Sequence, residues 1–126
     1  MAEIVYFVRD MLFTSKIREV AKQLGVSVES ARDAAGLAQA ARGARLVLLD
    51  LRLDTALAAL DEIRKQPDLA ALATVGFIDH ERLDVMDQAR ARGITEVMAK
   101  GQFANALPRL LKSPEAEVTK VESTEG

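Results

Sequence analysis

The distribution of apolar residues along the chain predicts five β-strands. The clearest is the run at residues 46–49 (LVLL), which has no polar interruption and ends on Asp50. A short continuous apolar run of this kind is typical of a strand that is buried on both faces, as at the centre of a parallel sheet. The other four strands are predicted at residues 4–8, 26–28, 73–78 and 94–98.

Between these strands the apolar residues recur every three or four positions, which predicts five helices. Gly25 and Gly93 stand where helices end, and Asp33 is the expected N-cap of the second helix. Pro108 is compatible with the last helix only in its first turn, so Asn105 is the expected cap there. The residues expected on the buried faces are, in chain order, Ile17, Val20, Ala21 and Leu24; Ala34, Leu37, Ala38 and Ala41; Ala56, Leu57, Leu60 and Ile63; Val85, Met86 and Ala89; and Phe103, Leu107, Leu110 and Leu111.

This alternation of strands and helices predicts an α/β fold. With right-handed crossovers, the helices cover both faces of a five-stranded parallel sheet. The common strand order for such a sheet is 2-1-3-4-5, the doubly wound (βα)5 or flavodoxin-like arrangement, in which ligands bind at the carboxyl ends of the strands. We therefore expect the residues that follow strands one, three, four and five to gather in one crevice: Arg9, Asp10, Asp50, Asp79 and Lys100.

The negative charges of three carboxylates in one crevice must be compensated. Two carboxylates about 5 Å apart repel each other by roughly 3 kcal/mol at an effective dielectric constant near 20. Such groups take up a proton, bind a divalent cation, or pair with a lysine or arginine. The residues by themselves leave these alternatives open, and any one charged residue past a strand end is most simply a solvated side chain.

Composition narrows the function classes. The chain has 126 residues, 49% of them hydrophobic, a formal net charge of −2 and no cysteine. These values predict one globular domain, argue against a nucleic-acid partner, and exclude disulfides and thiolate metal sites. No apolar run approaches the length of a membrane span, and the start of the chain lacks the pattern of a signal peptide, so we expect a cytoplasmic protein with no membrane partner.

The carboxyl-terminal segment has a different composition. Residues 113–126 (SPEAEVTKVESTEG) are rich in Glu, Ser and Thr and contain little that could be buried. We therefore predict a folded domain at residues 1–112 and a flexible acidic tail at residues 113–126. A linker toward a further domain would have the same composition.

The chain also resembles a known family, the receiver domains of two-component response regulators, over about residues 3–112. The segment LVLLDLRL is similar to the strand that carries the family's phospho-accepting aspartate, which would be Asp50, and the segment AKGQF matches the position of its lysine, Lys100. The resemblance implies a Mg²⁺ ion held by Asp10, Asp50 and the backbone carbonyl of Arg52. It also implies a histidine kinase or another signalling protein as partner and a signalling role without enzymatic activity.

Several positions depart from the family pattern. Arg9 stands in place of the first of two acids, and Asp79 in place of a hydroxyl residue. A carboxylate can only accept hydrogen bonds and would repel a phosphoryl group. Val97 replaces an aromatic residue, and Gly101 replaces a proline. The formal site charge is −1 here against −2 in the family, so we predict weakened Mg²⁺ binding.

Two functional hypotheses follow from this pattern. In the first, Asp50 accepts a phosphoryl group and thereby changes the affinity for protein partners. In the second, the chain is a phosphorylation-independent pseudo-receiver, a protein-binding module held in one state by Arg9 or Lys100 paired with Asp50 and Asp79. A flavodoxin-like cofactor enzyme is disfavoured, because the segment VRDMLFTSK after the first strand contains no phosphate-binding glycine.

Overall fold

A computed structural model describes residues 2–112 of the chain. The predicted tail at residues 113–126 lies outside the described residues. Within residues 2–112, no helix is both long and apolar enough to cross a membrane. The strands are β1 (Ile4–Phe7), β2 (Val28–Ser30), β3 (Leu46–Asp50), β4 (Ala73–Ile78) and β5 (Glu96–Ala99). The α-helices are α1 (Met11–Leu24), α2 (Ala34–Ala41), α3 (Ala56–Lys65), α4 (Leu83–Ala91) and α5 (Lys100–Leu111), and a short 3-10 helix spans Pro67–Leu69.

The five strands form one parallel sheet in the order β2-β1-β3-β4-β5, as the sequence predicts. The strand β3 is central and is buried along its whole length. Its last residue, Asp50, lies beside Phe77 of β4, and Phe7 of β1 lies beside Leu49. The predicted fold class and strand order are therefore confirmed, and the carboxyl ends of β1, β3 and β4 meet at one edge of the sheet.

Alternate residues of each strand enter different cores. Val5, Phe7, Val47 and Leu49 pack against α2, α3 and α4, whereas the residues between them face α1 and α5. The second group includes Ile4, Tyr6, Leu46, Leu48, Val75, Phe77 and Met98. This alternation fixes, for each strand, the face of the sheet toward which the residue just past its end is directed.

The predicted helix ends are largely confirmed. Gly25 and Gly93 follow α1 and α4 with φ angles of 68° and 86°, a region that favours glycine. Asp33 caps α2 by accepting a hydrogen bond from the backbone N–H of Gly36 at 2.7 Å. The helices therefore end and begin where the local sequence chemistry requires.

Two strands begin later than predicted. The sequence pattern places them at residues 26–28 and 94–98, but β2 begins at Val28 and β5 at Glu96. The reason is local: the N–H groups of Val26 and Ile94 donate to the carbonyls of Ala21 and Ala89, which closes the preceding helix. Apolar residues at both positions thus complete a helix end before the strand starts.

The predicted start of the last helix is wrong. The helix α5 begins at Lys100, directly after β5, so Pro108 lies well inside it and Asn105 is not its cap. Because proline has no N–H, the carbonyl four residues earlier loses its helical partner. The fold accepts this cost because Phe103, Leu107 and Leu111 of the same helix are fully buried.

Candidate functional site

The side chains past the strand ends divide between the two faces of the sheet by simple alternation. Asp10, Asp50, Asp79 and Lys100 lie at positions that alternate toward α1 and α5. Arg52 contacts Asp10 and Asp50, Lys100 pairs with Asp79, and the charge of Arg52 also acts on Asp79. Arg9 lies at a position that alternates toward the opposite face of the sheet. The structure therefore brings together four of the five predicted side chains, and their individual roles remain predictions.

Arg52 holds Asp50 at the floor of the site. The Asp50 carboxylate, whose side chain is 2% exposed, accepts hydrogen bonds from Arg52 Nε at 2.8 Å and Arg52 Nη2 at 2.7 Å. The backbone N–H of Arg52 donates a third bond to Asp50 Oδ1 at 3.0 Å. A bidentate arginine–carboxylate pair is among the stronger polar contacts in proteins, and this one raises the pKa of Arg52. Both oxygens of the candidate phospho-acceptor are therefore engaged within the protein.

Asp10 makes two different contacts. One oxygen, Oδ1, caps α1 by accepting the N–H of Phe13 at 3.0 Å, and the other, Oδ2, lies 3.5 Å from Arg52 Nη2. The Phe13 hydrogen bond and, to a smaller extent, the arginine lower the pKa of Asp10. Arg52 thus contacts both Asp10 and Asp50.

Asp79 and Lys100 form the second ion pair of the site, with Lys100 Nζ 2.7 Å from Asp79 Oδ1. This contact lowers the pKa of Asp79, and the charges of Arg52 and Arg82 lower it further. Arg52 is therefore close enough to influence all three acids. The pairing of Lys100 with Asp79 agrees with the second functional hypothesis.

Of the two alternatives in the second hypothesis, Arg9 or Lys100 as the partner of the acids, the structure does not pair Arg9 with Asp50 or Asp79. The Arg9 guanidinium donates to the backbone carbonyl of Arg32, in the segment between β2 and α2, and lies 5.9 Å from the centroid of the Phe7 ring. The physical reason is the alternation along β1: Arg9 is in step with Phe7, which faces α2 and α3, and Asp10 points the other way. Arg52 supplies the positive charge that we expected from Arg9.

The Arg52 guanidinium contacts two aromatic rings as well as the carboxylates. Its central carbon lies 5.3 Å from the centroid of the Phe13 ring and 5.4 Å from that of Phe77. These two rings are 4.6 Å apart, and Phe77 stacks on Phe103 at 4.3 Å. Cation–π contact with two rings restricts the guanidinium to one position beside the carboxylates.

The arrangement does not fit the predicted Mg²⁺ ion. Mg²⁺ would have to coordinate carboxylate oxygens that already face the positive charge of Arg52, because both oxygens of Asp50 accept its hydrogen bonds and Asp10 Oδ2 lies 3.5 Å from its Nη2. Residues 2–112 contain no group of three or more His, Cys, Asp or Glu side chains arranged to hold a metal. The predicted ligand from Arg52 was its backbone carbonyl, whereas its side chain is the group that meets the two acids.

The side chain of Arg52 is the functional feature that the sequence reasoning missed. The available signal was its spacing: an arginine two residues past a buried strand-end aspartate can fold back onto that aspartate. Phe13 was likewise missed, and its position three residues after Asp10 places it over the same site. Both features depend on how the turns after β3 and β1 close, which periodicity does not encode.

Comparison with protein-family models and with curated protein sequences gives no match for this chain. Solved structures do match. The receiver domain of the sensor histidine kinase PA1611 from Pseudomonas aeruginosa, crystallised with a magnesium ion in its active-site cleft, is 21% identical, with a TM-score of 0.72. The alignment covers 87% of this chain and 93% of that one.

Two further similar structures are a receiver domain and a response regulator. The receiver domain of NtrX from Brucella abortus is 28% identical, with a TM-score of 0.70 and coverage of 85% of this chain and 92% of that one. The phosphorylated cyanobacterial phytochrome response regulator RcpA is 20% identical, with a TM-score of 0.68 and coverage of 89% and 90%. The chain therefore has the fold of the receiver domains of two-component response regulators.

Proposed function

We propose that this chain is a receiver-like module of two-component-type signalling that acts by binding other signalling proteins, without phosphorylation of Asp50. The observation that carries the proposal is the bidentate contact of Arg52 with Asp50, in which both carboxylate oxygens are already bound. The similarity to the NtrX and RcpA structures supports the signalling class.

A carboxylate that accepts a phosphoryl group must attack with a free oxygen. In Asp50 each oxygen accepts a charge-assisted hydrogen bond from Arg52, and the carboxylate is almost fully buried. An attack would therefore start from an oxygen that already accepts a charge-assisted hydrogen bond, and the positive charge of Arg52 would reduce the nucleophilicity of the carboxylate. The geometry thus disfavours phosphoryl transfer to Asp50.

The surroundings of Asp50 add to this barrier. An incoming phosphoryl group carries negative charge and needs donors and cations. Asp79 offers only acceptor oxygens, its lowered pKa keeps it ionised at neutral pH, and its partner Lys100 is occupied at 2.7 Å. A phosphoryl group at Asp50 would meet an ionised acid and no free lysine.

Phosphoryl acceptance by Asp50 is the second candidate function. It is favoured by the position of Asp50 at the carboxyl end of the central strand, with Asp10 and Lys100 in the same cluster. This candidate requires Arg52 to leave Asp50 and Lys100 to leave Asp79. Such a rearrangement would free the Asp50 carboxylate and the Lys100 ammonium for a phosphoryl group.

Protein partners suit the proposed function better than a small substrate. Large apolar side chains are exposed on the segments that follow Asp10 and Asp79, namely Met11 at 82%, Leu12 at 76% and Leu83 at 64%. Exposed apolar side chains beside a charged site are typical of surfaces that other proteins contact. We therefore propose a non-enzymatic role with a histidine kinase or another signalling protein as partner.

Intact-mass spectrometry after incubation with a small-molecule phosphodonor and Mg²⁺ tests this proposal. We expect the wild-type chain to gain no phosphoryl group at high donor concentration, because Asp50 is held by Arg52. The Asp50→Asn variant serves as the matched control. A gain of one phosphoryl group in the wild type that is absent in Asp50→Asn would establish the second candidate instead.

A further inference from the structure

The position of the Arg52 guanidinium between two carboxylates has a consequence for metal binding. The guanidinium contacts Asp50 Oδ2 at 2.7 Å and Asp10 Oδ2 at 3.5 Å through the same nitrogen, Nη2. A cation between these two acids is what an acidic crevice requires for charge compensation. Here a side chain of the protein itself provides that cation.

The guanidinium is held in place by packing as well as by charge. It lies against the rings of Phe13 and Phe77, and only 28% of the Arg52 side chain is exposed. A planar, weakly hydrated guanidinium suits a position between aromatic rings and carboxylates. Phe77 also stacks on Phe103, and both rings belong to the core beneath α1 and α5. The guanidinium of Arg52 therefore packs against the edge of this core.

We propose that Arg52 is the resident cation of this site and excludes divalent metal ions from the crevice between Asp10 and Asp50. A metal ion there would compete for carboxylate oxygens that already accept hydrogen bonds, and it would face a positive charge at contact distance. This inference goes beyond the proposed function, since it concerns the cation and holds whether or not Asp50 accepts a phosphoryl group.

Removing the guanidinium should uncover a metal site. In the Arg52→Met variant, the apolar side chain keeps the contacts with Phe13 and Phe77 but leaves Asp10 and Asp50 uncompensated. We expect this variant of the full chain to bind Mn²⁺, used as a probe for divalent ions, at least about tenfold more tightly than the wild type, because a contacting positive charge is gone. Isothermal titration calorimetry and paramagnetic broadening of amide signals both measure this binding.

Two control variants separate charge from packing. Arg52→Lys keeps a positive charge and should gain no tight Mn²⁺ site. The double variant Arg52→Met with Asp10→Asn removes one of the two carboxylates and should lose most of the gain. The proposal is overturned if the wild type binds Mn²⁺ as tightly as Arg52→Met, or if Arg52→Met shows no gain over Arg52→Lys.

A measurement on the wild type covers the case in which Arg52→Met does not fold. The Nε–H group of Arg52 donates to Asp50 at 2.8 Å, so its nitrogen-15 NMR signal should be resolved and protected from exchange. The signal is assigned by its loss in Asp50→Asn. We expect it to stay unchanged as Mg²⁺ is added to millimolar levels, and its displacement by Mg²⁺ would contradict a resident cation.

Discussion

At the scale of single residues, the burial of the Asp50 carboxylate is the main energetic cost of the site. A carboxylate that is 2% exposed is strongly destabilising unless a partner compensates its charge. Arg52 does so from the next turn with three donors, and its aliphatic and planar parts pack on Phe13 and Phe77. One residue, Arg52, therefore compensates the charge of Asp50, satisfies its hydrogen-bond acceptors and packs on the neighbouring rings.

The ion pairs of the site predict how stability depends on pH. The pKa values of Asp10 and Asp79 are both lowered in the folded state, mainly by the Phe13 N–H and by Lys100 respectively. A lowered folded-state pKa stabilises the fold at pH values above the ordinary aspartate pKa of 3.8, and this contribution is lost as the pH falls through the folded-state pKa.

Urea unfolding of Asp79→Asn at a series of pH values measures this effect. We expect the variant to be less stable than the wild type at pH 7 and the difference to shrink below about pH 4. Asp87→Asn is the control, because Asp87 is an exposed acid of α4 that forms an ion pair with Arg90 at 3.5 Å. A constant difference between wild type and Asp79→Asn down to pH 2 would show that the Lys100 contact contributes nothing.

At this scale, part of the site follows from the sequence. The alternation of buried residues in β1, β3 and β4 is enough to place Asp10, Asp50 and Asp79 on one face of the sheet. The same alternation places Arg9 on the opposite face, so it could have excluded Arg9 from the site. The identity of the compensating cation does not follow in the same way. It depends on the rotamer of Arg52 and on the closure of one turn.

The element scale shows which local signals determine the fold. Continuous apolar runs, glycine at helix ends and Asp33 as a cap are each decided by chemistry within a few residues, and the structure agrees with them. Pro108 is the opposite case. Its local preference is for a helix start, but the burial of Phe103 and Leu107 from the same helix outweighs that preference. Tertiary packing therefore decides where α5 begins.

Substitutions in α5 distinguish the two possible helix starts. We expect Pro108→Ala to raise the free energy of unfolding by roughly 1–3 kcal/mol, because alanine restores a helical N–H donor at an exposed position. Asn105→Ala should be neutral or slightly stabilising, since Asn105 is inside the helix. If Asn105 were the N-cap, the same change would cost about 1 kcal/mol. Urea denaturation of both variants provides the measurement.

At the scale of the whole molecule, two partly buried arginines, Arg52 and Arg64, have opposite electrostatic surroundings. At the carboxyl edge of the sheet, Arg52 meets carboxylates and its pKa is raised. Arg64 of α3 instead donates to the hydroxyl of Thr74, at the start of β4, and to backbone carbonyls, and burial lowers its pKa. The carbonyl acceptors belong to Leu69, Ala70, Leu72 and Gly93. Arg64 thus fixes the fold at one end of β4, while charge compensation at the other end forms the site.

At the scale of the whole molecule, the sequence predicts the arrangement of the strands and helices as well as their existence. The order of strands and helices, the central place of β3 and the gathering of acids at one edge all follow from the pattern and the rules of α/β topology. We propose that in this chain an internal cation, the guanidinium of Arg52, takes the place of an external one. This feature lies in a few side-chain contacts and leaves the architecture unchanged.

A crystal structure of the full chain grown with millimolar Mg²⁺ tests the central claim most directly. We expect the Arg52 guanidinium to remain in bidentate contact with Asp50 and beside Asp10, with no metal ion between the two acids. A Mg²⁺ ion coordinated by Asp10 and Asp50, with the Arg52 side chain turned away from them, would contradict the claim.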